Sequence, residues 1–249
     1  MTETATETER VQRVRDQQAA TYDRRIGFFE RALFGGGREW VCSQARGDVL
    51  ELGVGTARNL AFYPDDVRLT GIELSPEMLA IGKRRQAELG RDAHLRSGDA
   101  QRLGFDDERF DTVVSTLTMC EIPDYGRAIR EAHRVLRPGG RFVLLEHVRS
   151  PSLPVRIGQR LLEPLSVRFN ADHLLREPLD ALREAGFEIE RSERLKWGIV
   201  ERIVARKPVR DDDNSRIDVL TTDAIPPPRR APAAPHSPTP PRRGPGSAR

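Results

Sequence analysis

A short apolar run that ends in two closely spaced glycines, VLELGVG, constrains the fold of this chain more than any other feature. Residues Val49 to Val54 read as a buried strand, and Gly53 and Gly55 lie in the turn at its end. A glycine-rich turn after a strand lets main-chain N–H groups approach a polar or anionic ligand at the start of the next helix. The run predicts either such a ligand-binding turn or an ordinary tight turn.

The residues after this turn alternate between strand and helix patterns. The strand candidates are Arg68 to Leu74, Asp111 to Met119, Arg141 to Val148, Phe187 to Leu195 and Gly198 to Arg206. The helix candidates run from Ser75 to Gly90, from Asp124 to the turn Pro138-Gly139-Gly140, and from Glu177 to Ala185. This order predicts an α/β fold: an open, mostly parallel sheet with helices on both faces and a C-terminal antiparallel strand hairpin.

Composition sets the predicted domain boundaries. Ten of the eighteen prolines lie between Pro208 and Arg249, where large apolar residues are few, and such a segment cannot offset the entropy of ordering. We therefore predict a flexible N-terminus (1–14), one folded domain (15–207) and a disordered Pro/Arg-rich tail (208–249). Within the first part of the chain, Val11 to Gln44 reads as largely helical, and its aromatic residues either cover the ligand site or only pack.

Charge and cysteine content exclude several classes of function. The 41 basic and 38 acidic residues nearly balance, which argues against a nucleic-acid substrate. Cys42 and Cys120 lie far apart without a C-x-x-C spacing, so no disulfide framework or metal site is predicted. The N-terminus is unlike a signal peptide, and no apolar stretch approaches the roughly 20 residues of a membrane helix. We expect a cytoplasmic protein.

Two acidic residues indicate what the glycine turn binds. Glu73 stands at the end of the second strand, twenty residues beyond Gly53, where a carboxylate can accept hydrogen bonds from both ribose hydroxyls. A dinucleotide fingerprint would have a third glycine where this chain has Arg58, which weakens a nicotinamide cofactor as the ligand. Glu51 lies inside the apolar first strand and needs hydrogen-bond donors or a cationic ligand.

From about residue 15 to 207 these segments resemble, in order, a class I S-adenosylmethionine-dependent methyltransferase. Glu51 to Ala57 resembles the acid-x-G-x-G-x-G loop of that family, with Ala57 in place of the third glycine, and this departure implies weakened cofactor binding. Further matches are Gly98-Asp99-Ala100, Phe110 to Thr116 and Val135 to Phe142. The resemblance implies a Rossmann-like fold and S-adenosyl-L-methionine as cofactor. The cofactor contacts that it implies are Tyr22, Glu51, Gly53, Gly55, Thr56, Glu73, Asp99, Ala100 and Thr116.

Within this family, Met119 to Ile122 and Leu144 to Val148 particularly resemble bacterial phosphatidylethanolamine N-methyltransferases and the methyltransferase-like 7 thiol methyltransferases. The same small-molecule and lipid branch includes quinone C-methyltransferases. This resemblance implies in-line methyl transfer to a small-molecule or lipid-like acceptor, without a metal. Ser115-Thr116-Leu117 lacks the N/D-P-P-Y/F pattern of enzymes that methylate base amines. The alternatives are a non-catalytic cofactor-binding module whose tail recruits a partner, and an NAD-dependent oxidoreductase.

His147 is the candidate catalytic base, because it ends a strand at the ligand-bearing edge and can titrate near neutrality. A structural or substrate-contacting role is the alternative. The insertion from Leu153 to Leu175 carries Asp172 and His173, together with apolar residues and arginines. It reads as a lid over an apolar substrate, as internal packing, or as a peripheral contact with an anionic membrane.

Overall fold

Seven strands form a single sheet in the computed structural model, which describes residues 3–209. The order across the sheet is β3-β2-β1-β4-β5-β7-β6. The strands are β1 (Asp48–Leu52), β2 (Arg68–Glu73), β3 (Ala93–Ser97), β4 (Phe110–Thr116), β5 (Leu136–His147), β6 (Glu188–Leu195) and β7 (Val200–Arg206). The first five pair in parallel, whereas β7 runs antiparallel to β5 and β6. The predicted mostly parallel sheet with its C-terminal hairpin is confirmed.

Helices cover both faces of this sheet. They are α1 (Glu3–Phe29), α2 (Gly37–Ser43), α3 (Pro76–Leu89), α4 (Tyr125–Val135), α5 (Leu153–Asn170) and α6 (Pro178–Glu184). A π-helical turn (Glu30–Phe34) follows α1, and a 3-10 turn (Arg58–Ala61) follows β1. Because side chains alternate along a strand, Phe142 of β5 packs in one core with Ile129 of α4, and Val143 packs in the other with Val41 of α2. The central strands are therefore buried on both sides.

The parallel strands bring the predicted site residues to one edge of the sheet. Gly53 follows β1, whereas Glu73, Thr116 and His147 end β2, β4 and β5. The carboxyl ends of parallel strands meet at the same edge, where open α/β sheets bind their ligands. Helix α3 begins there with Ser75 as its N-cap, whose hydroxyl accepts a hydrogen bond from the Met78 N–H at 3.1 Å.

The N-terminal boundary differs from the prediction. Residues 3–14, predicted to be flexible, belong to helix α1. Arg10 Nη2 donates to the carbonyl oxygen of Val167 at 3.0 Å, and Gln101 Nε2 donates to Thr8 Oγ1 at 3.1 Å. These contacts join residues that are far apart in the sequence, which is why local composition does not reveal them. Of the predicted tail, residues 210–249 lie outside the described residues.

Two further segments differ from the sequence pattern. Strand β3 was not predicted, because in this edge strand only Leu95 is buried and no apolar run results. Pro164 lies inside α5, and the helix continues through it to Asn170. A proline inside a helix removes one backbone hydrogen bond and usually bends the helix without ending it.

Gly82 of α3 provides a test of how tightly this helix packs on the glycine loop. A Cβ at Gly82 would lie 3.0 Å from the carbonyl oxygen of Gly55 and 3.2 Å from Ala57 Cβ, whereas a Cβ at Gly158 of α5 would meet nothing within 4 Å. Replacing glycine by alanine in a helix usually stabilises it by about 0.5–1 kcal/mol. We expect this gain for Gly158→Ala, and for Gly82→Ala a loss of about 1–3 kcal/mol through overpacking. Chemical denaturation measures both, and equal stabilisation by the two changes would contradict the packing.

Candidate active site

The two glycines after β1 are required for different structural reasons. Both adopt left-handed backbone conformations, with φ of 65° at Gly53 and 56° at Gly55, which glycine adopts without steric cost. A Cβ at Gly53 would lie 2.4 Å from Thr118 Cγ2, whereas a Cβ at Gly55 would meet nothing nearer than the Gly53 carbonyl oxygen at 3.9 Å. Gly53 is therefore required by packing, and Gly55 leaves the backbone open to a ligand.

A cleft, here called the glycine-loop cleft, opens above this turn. Its walls include Gly53, Gly55, Glu73, Asp99, Ala100, Gln101 and Thr116. Glu73 Oε2 accepts a hydrogen bond from the Gly55 N–H at 2.8 Å, and Oε1 accepts one from the Ser75 N–H at 2.9 Å. A carboxylate oxygen can accept about two hydrogen bonds, so each oxygen keeps capacity for a ligand hydroxyl. Asp99 Oδ1 is oriented in the same way by the Gln101 N–H at 2.8 Å.

Glu51 lies below this cleft and does not line it. The side chain is 2% exposed; Asn59 Nδ2 donates to Oε1 at 2.8 Å, and the Tyr63 hydroxyl donates to Oε2 at 3.0 Å. Burial raises the pKa of Glu51 to about 7, against these two hydrogen bonds and Arg38. Two protein side chains therefore supply the hydrogen-bond donors that the sequence analysis expected for this buried carboxylate. Glu51 supports the glycine loop from below.

Thr56 also supports the loop without lining the cleft. Its hydroxyl donates to Asp23 Oδ1 of helix α1 at 2.6 Å, and Arg85 of α3 forms an ion pair with the same aspartate at 2.5 Å. Through Asp23, these contacts connect α1 both to the glycine loop and to α3. The helix that precedes the sheet is therefore held over the strand ends.

A second cavity, of about 540 Å³, lies beside the glycine-loop cleft and is here called the apolar cavity. Apolar side chains from α1, the π-helical turn and α5 line it, among them Phe29, Leu33 and Leu162. Arg15, Tyr22, Leu117 and Glu121 line both spaces. The cleft and the cavity therefore share a wall.

The shared wall contains the Arg15–Glu121 pair, in which the arginine is buried and the glutamate is half-buried. Arg15 Nη2 lies 2.6 Å from Glu121 Oε1. Burial raises the pKa of Glu121 to about 8 despite the adjacent guanidinium of Arg15. Burial, together with Glu121, raises the pKa of Tyr22 to about 12, so this phenol stays neutral at physiological pH.

His147 lines the apolar cavity together with Asp172. The His147 Nε2 atom lies 2.8 Å from Asp172 Oδ1. Burial favours the neutral imidazole, but the charge of Asp172 and its hydrogen bond outweigh this effect and raise the pKa of His147. Burial opposes ionisation of Asp172 too, yet His147 lowers the pKa of this carboxyl to about 2. Within residues 3–209, the buried Nδ1 of His147 has no hydrogen-bond partner.

This pairing assigns the imidazole tautomer. A carboxylate accepts the proton on Nε2, so the neutral ring has its lone pair on Nδ1. The arrangement matches a general base held by a carboxylate that orients it.

Cys120 lies beside this pair. Its sulfur, a His147 ring nitrogen and an Asp172 oxygen lie within 4.8 Å of one another. Burial raises the pKa of the Cys120 thiol, and the charges of Asp172 and Glu121 raise it further. A thiol held protonated is a poor nucleophile, so Cys120 serves as a small wall residue. The ligand types would suit zinc, but the hydrogen bond between His147 and Asp172 accounts for their pairing without an ion.

Comparison with known proteins assigns this chain to a family. The family described as "Methyltransferase domain" matches residues 50–144. The human thiol S-methyltransferase TMT1A is 31% identical over 173 residues, which cover 67% of this chain and 70% of that protein. The chain belongs to the class I S-adenosylmethionine-dependent methyltransferases. The resemblance found in the sequence is confirmed, and the cofactor of this family is S-adenosyl-L-methionine.

Two other methyltransferases extend this comparison. The phosphatidylethanolamine N-methyltransferase of Cereibacter sphaeroides is 39% identical over 118 residues, or 47% of this chain, and the match covers only 58% of that relative. The crystal structure of a possible histamine N-methyltransferase from Thermotoga maritima matches with a TM-score of 0.62 at 22% identity, covering 79% of this chain and 99% of that one. The similarity to this crystal structure establishes the methyltransferase fold and not the substrate.

The cleft of this family member contains most of the residues predicted to bind the cofactor. Tyr22, Gly53, Gly55, Glu73, Asp99, Ala100 and Thr116 line the glycine-loop cleft, whereas Glu51 and Thr56 support it. Carboxylates at Glu73 and Asp99 suit the hydroxyl and amine donors of an adenosyl group. The residues present therefore fit S-adenosylmethionine.

Ala57 takes the left-handed conformation that a third glycine would take, with φ of 60°. Its side chain is fully buried and faces α3 at Gly82. The extra methyl group therefore packs against the helix, and it does not line the glycine-loop cleft.

Sequence reasoning missed the residues that α1 and the end of the insertion bring to the site. Arg15 and Glu121 were not predicted as site residues, and Asp172 was noted only as part of a substrate-facing insertion. The signal available for Asp172 was its position in the insertion after the β5 histidine. For Arg15 no local signal exists, because its partner Glu121 is more than 100 residues away.

Proposed function

We propose that this chain transfers the methyl group of S-adenosylmethionine to a small-molecule or lipid-like acceptor held in the apolar cavity. The observation that carries the proposal is the wall shared by the glycine-loop cleft and the apolar cavity, with the His147–Asp172 pair on the cavity side. A donor in the cleft and an acceptor in the cavity would meet at this wall. The protein then mainly aligns the two and excludes water.

The cofactor-binding roles proposed here belong to residues of the glycine-loop cleft. Glu73 would accept hydrogen bonds from the ribose hydroxyls, and Asp99 with Ala100 would contact the adenine. Gly53, Gly55 and Thr116 would line the methionine portion, and Tyr22 would close the cleft from α1. When bound, S-adenosylmethionine supplies a methyl group on a positively charged sulfur, so that no metal is required for its transfer.

His147 would accept the proton of an acceptor that reacts from its protonated form. Its Nδ1 is the atom with a free lone pair in the tautomer that Asp172 selects. A base with a pKa near the operating pH is efficient, and the charge of Asp172 raises the pKa of His147 from its ordinary value near neutrality.

The acceptor class follows from the lining of the apolar cavity. Phe29, Leu33 and Leu162 present an apolar wall, which suits an acceptor with a hydrocarbon part. The names of two relatives support this class, since one acts on phosphatidylethanolamine and the other on thiols. No helix among residues 3–209 is long and apolar enough to span a bilayer.

Calorimetry with the full chain tests this function. We expect S-adenosylmethionine and S-adenosylhomocysteine to bind and NAD not to bind. Incubation with methyl-labelled cofactor and a panel of thiols, amines, quinols and aminophospholipids should then label at least one acceptor. Binding without transfer to any acceptor would favour the non-catalytic binding module, and preferential NAD binding would favour the oxidoreductase.

A further inference from the structure

Exposed apolar side chains concentrate in one region of the protein. Among the described residues, twelve large apolar side chains are exposed, and nine of these lie on α1, α5 and the turn between β6 and β7. We call these nine the apolar rim: Phe28, Phe29, Leu153, Ile157, Leu161, Leu162, Leu165, Phe169 and Trp197. Contiguous exposed apolar surface on a monomer usually marks an interaction site.

Helix α5 contributes most of the rim and has an unusual environment. None of its 18 residues is buried. Leu153, Ile157, Leu161 and Leu165 recur every four residues and are 52–75% exposed, so they form a stripe along the outer face of the helix. Val155, Leu162 and Ser166 line the apolar cavity from the inner side. The helix therefore has the apolar cavity on its inner side and the exposed apolar stripe on its outer side.

The other parts of the rim are fixed to α5. Gln18 Nε2 of α1 donates to the carbonyl oxygen of Phe169 at 3.0 Å, and Arg25 Nη2 donates to Asn170 Oδ1 at 2.9 Å. The Ser150 hydroxyl, just before α5, donates to the carbonyl oxygen of Trp197 at 2.7 Å. The same three segments supply Phe29, Leu162 and Ile199 to the cavity lining. The rim thus surrounds the apolar cavity.

The charges next to the rim side chains, on residues 23–30, 153–170 and 196–198, have one sign towards solvent. The exposed cations of these three ranges are Arg24, Arg25, Arg160, Arg168 and Lys196. The acids of the same ranges are engaged by the protein: Asp23 pairs with Arg85, Glu30 with Arg58, and Glu163 accepts from the Leu174 N–H at 2.6 Å. An apolar face with arginine, lysine, tryptophan and phenylalanine at its border is typical of surfaces that lie in an anionic membrane interface.

We propose that the apolar rim docks the protein on an anionic bilayer, and that the acceptor passes from the lipid phase into the apolar cavity between α1 and α5. The second part of this inference rests on the proposed function, whereas docking itself does not. A hydrocarbon acceptor then reaches the cavity without crossing water. Arg24, Arg160 and Arg168 contact headgroups while the rim side chains enter the interface.

Vesicle sedimentation of the full chain tests docking. We expect binding to phosphatidylcholine vesicles that contain phosphatidylglycerol and much weaker binding to phosphatidylcholine alone. Leu161→Asp and Trp197→Asp should abolish binding, because each puts a charge in the apolar face. Leu89→Asp is the matched control, since this exposed leucine lies on α3 outside the rim, and it should bind like the wild type. Arg160→Gln and Arg168→Gln should each weaken binding about fivefold.

Three results would overturn docking. One is equal sedimentation of wild type, Leu161→Asp and Leu89→Asp. Another is binding that does not depend on phosphatidylglycerol. The third is a concentration-dependent dimer, seen by analytical ultracentrifugation without vesicles, that Leu161→Asp dissociates, which would identify a second copy as the occupant.

Activity with two kinds of acceptor separates this inference from the proposed function. We expect Leu161→Asp to lose transfer to a bilayer-embedded acceptor and to retain transfer to a water-soluble one. Equal loss with both acceptors would contradict entry from the bilayer. Sedimentation without any transfer would leave docking intact and contradict the proposed function.

Discussion

Changing His147 to glutamine is expected to lower kcat of the full chain by about 10²- to 10⁴-fold, which is the contribution of a positioned general base. Glutamine preserves a polar side chain of similar length but cannot accept and release the proton. His133 of α4 provides the matched control, because its ring packs 4.9 Å from that of Phe187, away from both spaces of the site. His133→Gln should therefore leave kcat unchanged, and steady-state kinetics with one identified acceptor measures both variants.

Asp172→Asn separates a base held by a carboxylate from a histidine that only supports the wall. Asparagine can still accept the hydrogen bond from His147 Nε2, but the charge that raises the pKa of His147 is removed. A lower pKa of the base moves the acid limb of the kcat profile to lower pH, because less alkali is needed to deprotonate the ring. A profile that keeps its position, or a His147→Gln variant with wild-type kcat, would contradict the assignment.

The parts of the site that could be predicted are those held together by neighbouring residues in the sequence. Gly53 and Glu73 follow strands whose apolar runs are visible in the chain, and parallel pairing of β1 with β2 brings both to one edge. Ser75 and Pro76 likewise predict the start of α3. In each case a local pattern and the sheet topology specify the position together.

The parts that could not be predicted depend on contacts between distant segments. Arg15 meets Glu121 only because α1 folds back over the strand ends. Asp172 meets His147 because the chain returns to the sheet edge after α5. Glu51 shows a related limit: its burial in β1 was visible, but whether a ligand or a side chain would satisfy its carboxylate was not, and Asn59 with Tyr63 does so.

The outer face of α5 shows that one pattern can have several structural meanings. Its apolar residues and arginines are compatible with a lid, internal packing or a membrane contact when only the sequence is considered. In the structure one side of the helix lines the apolar cavity, whereas the stripe that contains Leu161 and Leu165 is exposed. Internal packing therefore does not account for the stripe. The lid interpretation is compatible with the inner side.

Glu73→Ala is expected to weaken binding of S-adenosylmethionine to the full chain by about 1–3 kcal/mol. The change removes the carboxylate proposed to accept the ribose hydroxyls, and it leaves the N–H groups of Gly55 and Ser75 without their acceptor. The first effect weakens binding, because a ligand hydroxyl that is buried without a partner loses its hydrogen bonds to water. The second effect destabilises the free and the bound protein alike. Titration calorimetry with S-adenosylmethionine and S-adenosylhomocysteine measures the loss, which should be similar for the two ligands since they share the ribose.

Glu51→Gln separates ligand contact from support of the loop. Glu51 is buried like Glu73 and lies on the adjacent strand, but its oxygens accept hydrogen bonds from Asn59 and Tyr63. Glutamine keeps one acceptor for these donors, so we expect a lower melting temperature with nearly unchanged affinity. If both variants lost the same affinity, the effect would come from a disturbed glycine loop. If Glu73→Ala bound like the wild type, the ribose contact would have to lie elsewhere in the cleft.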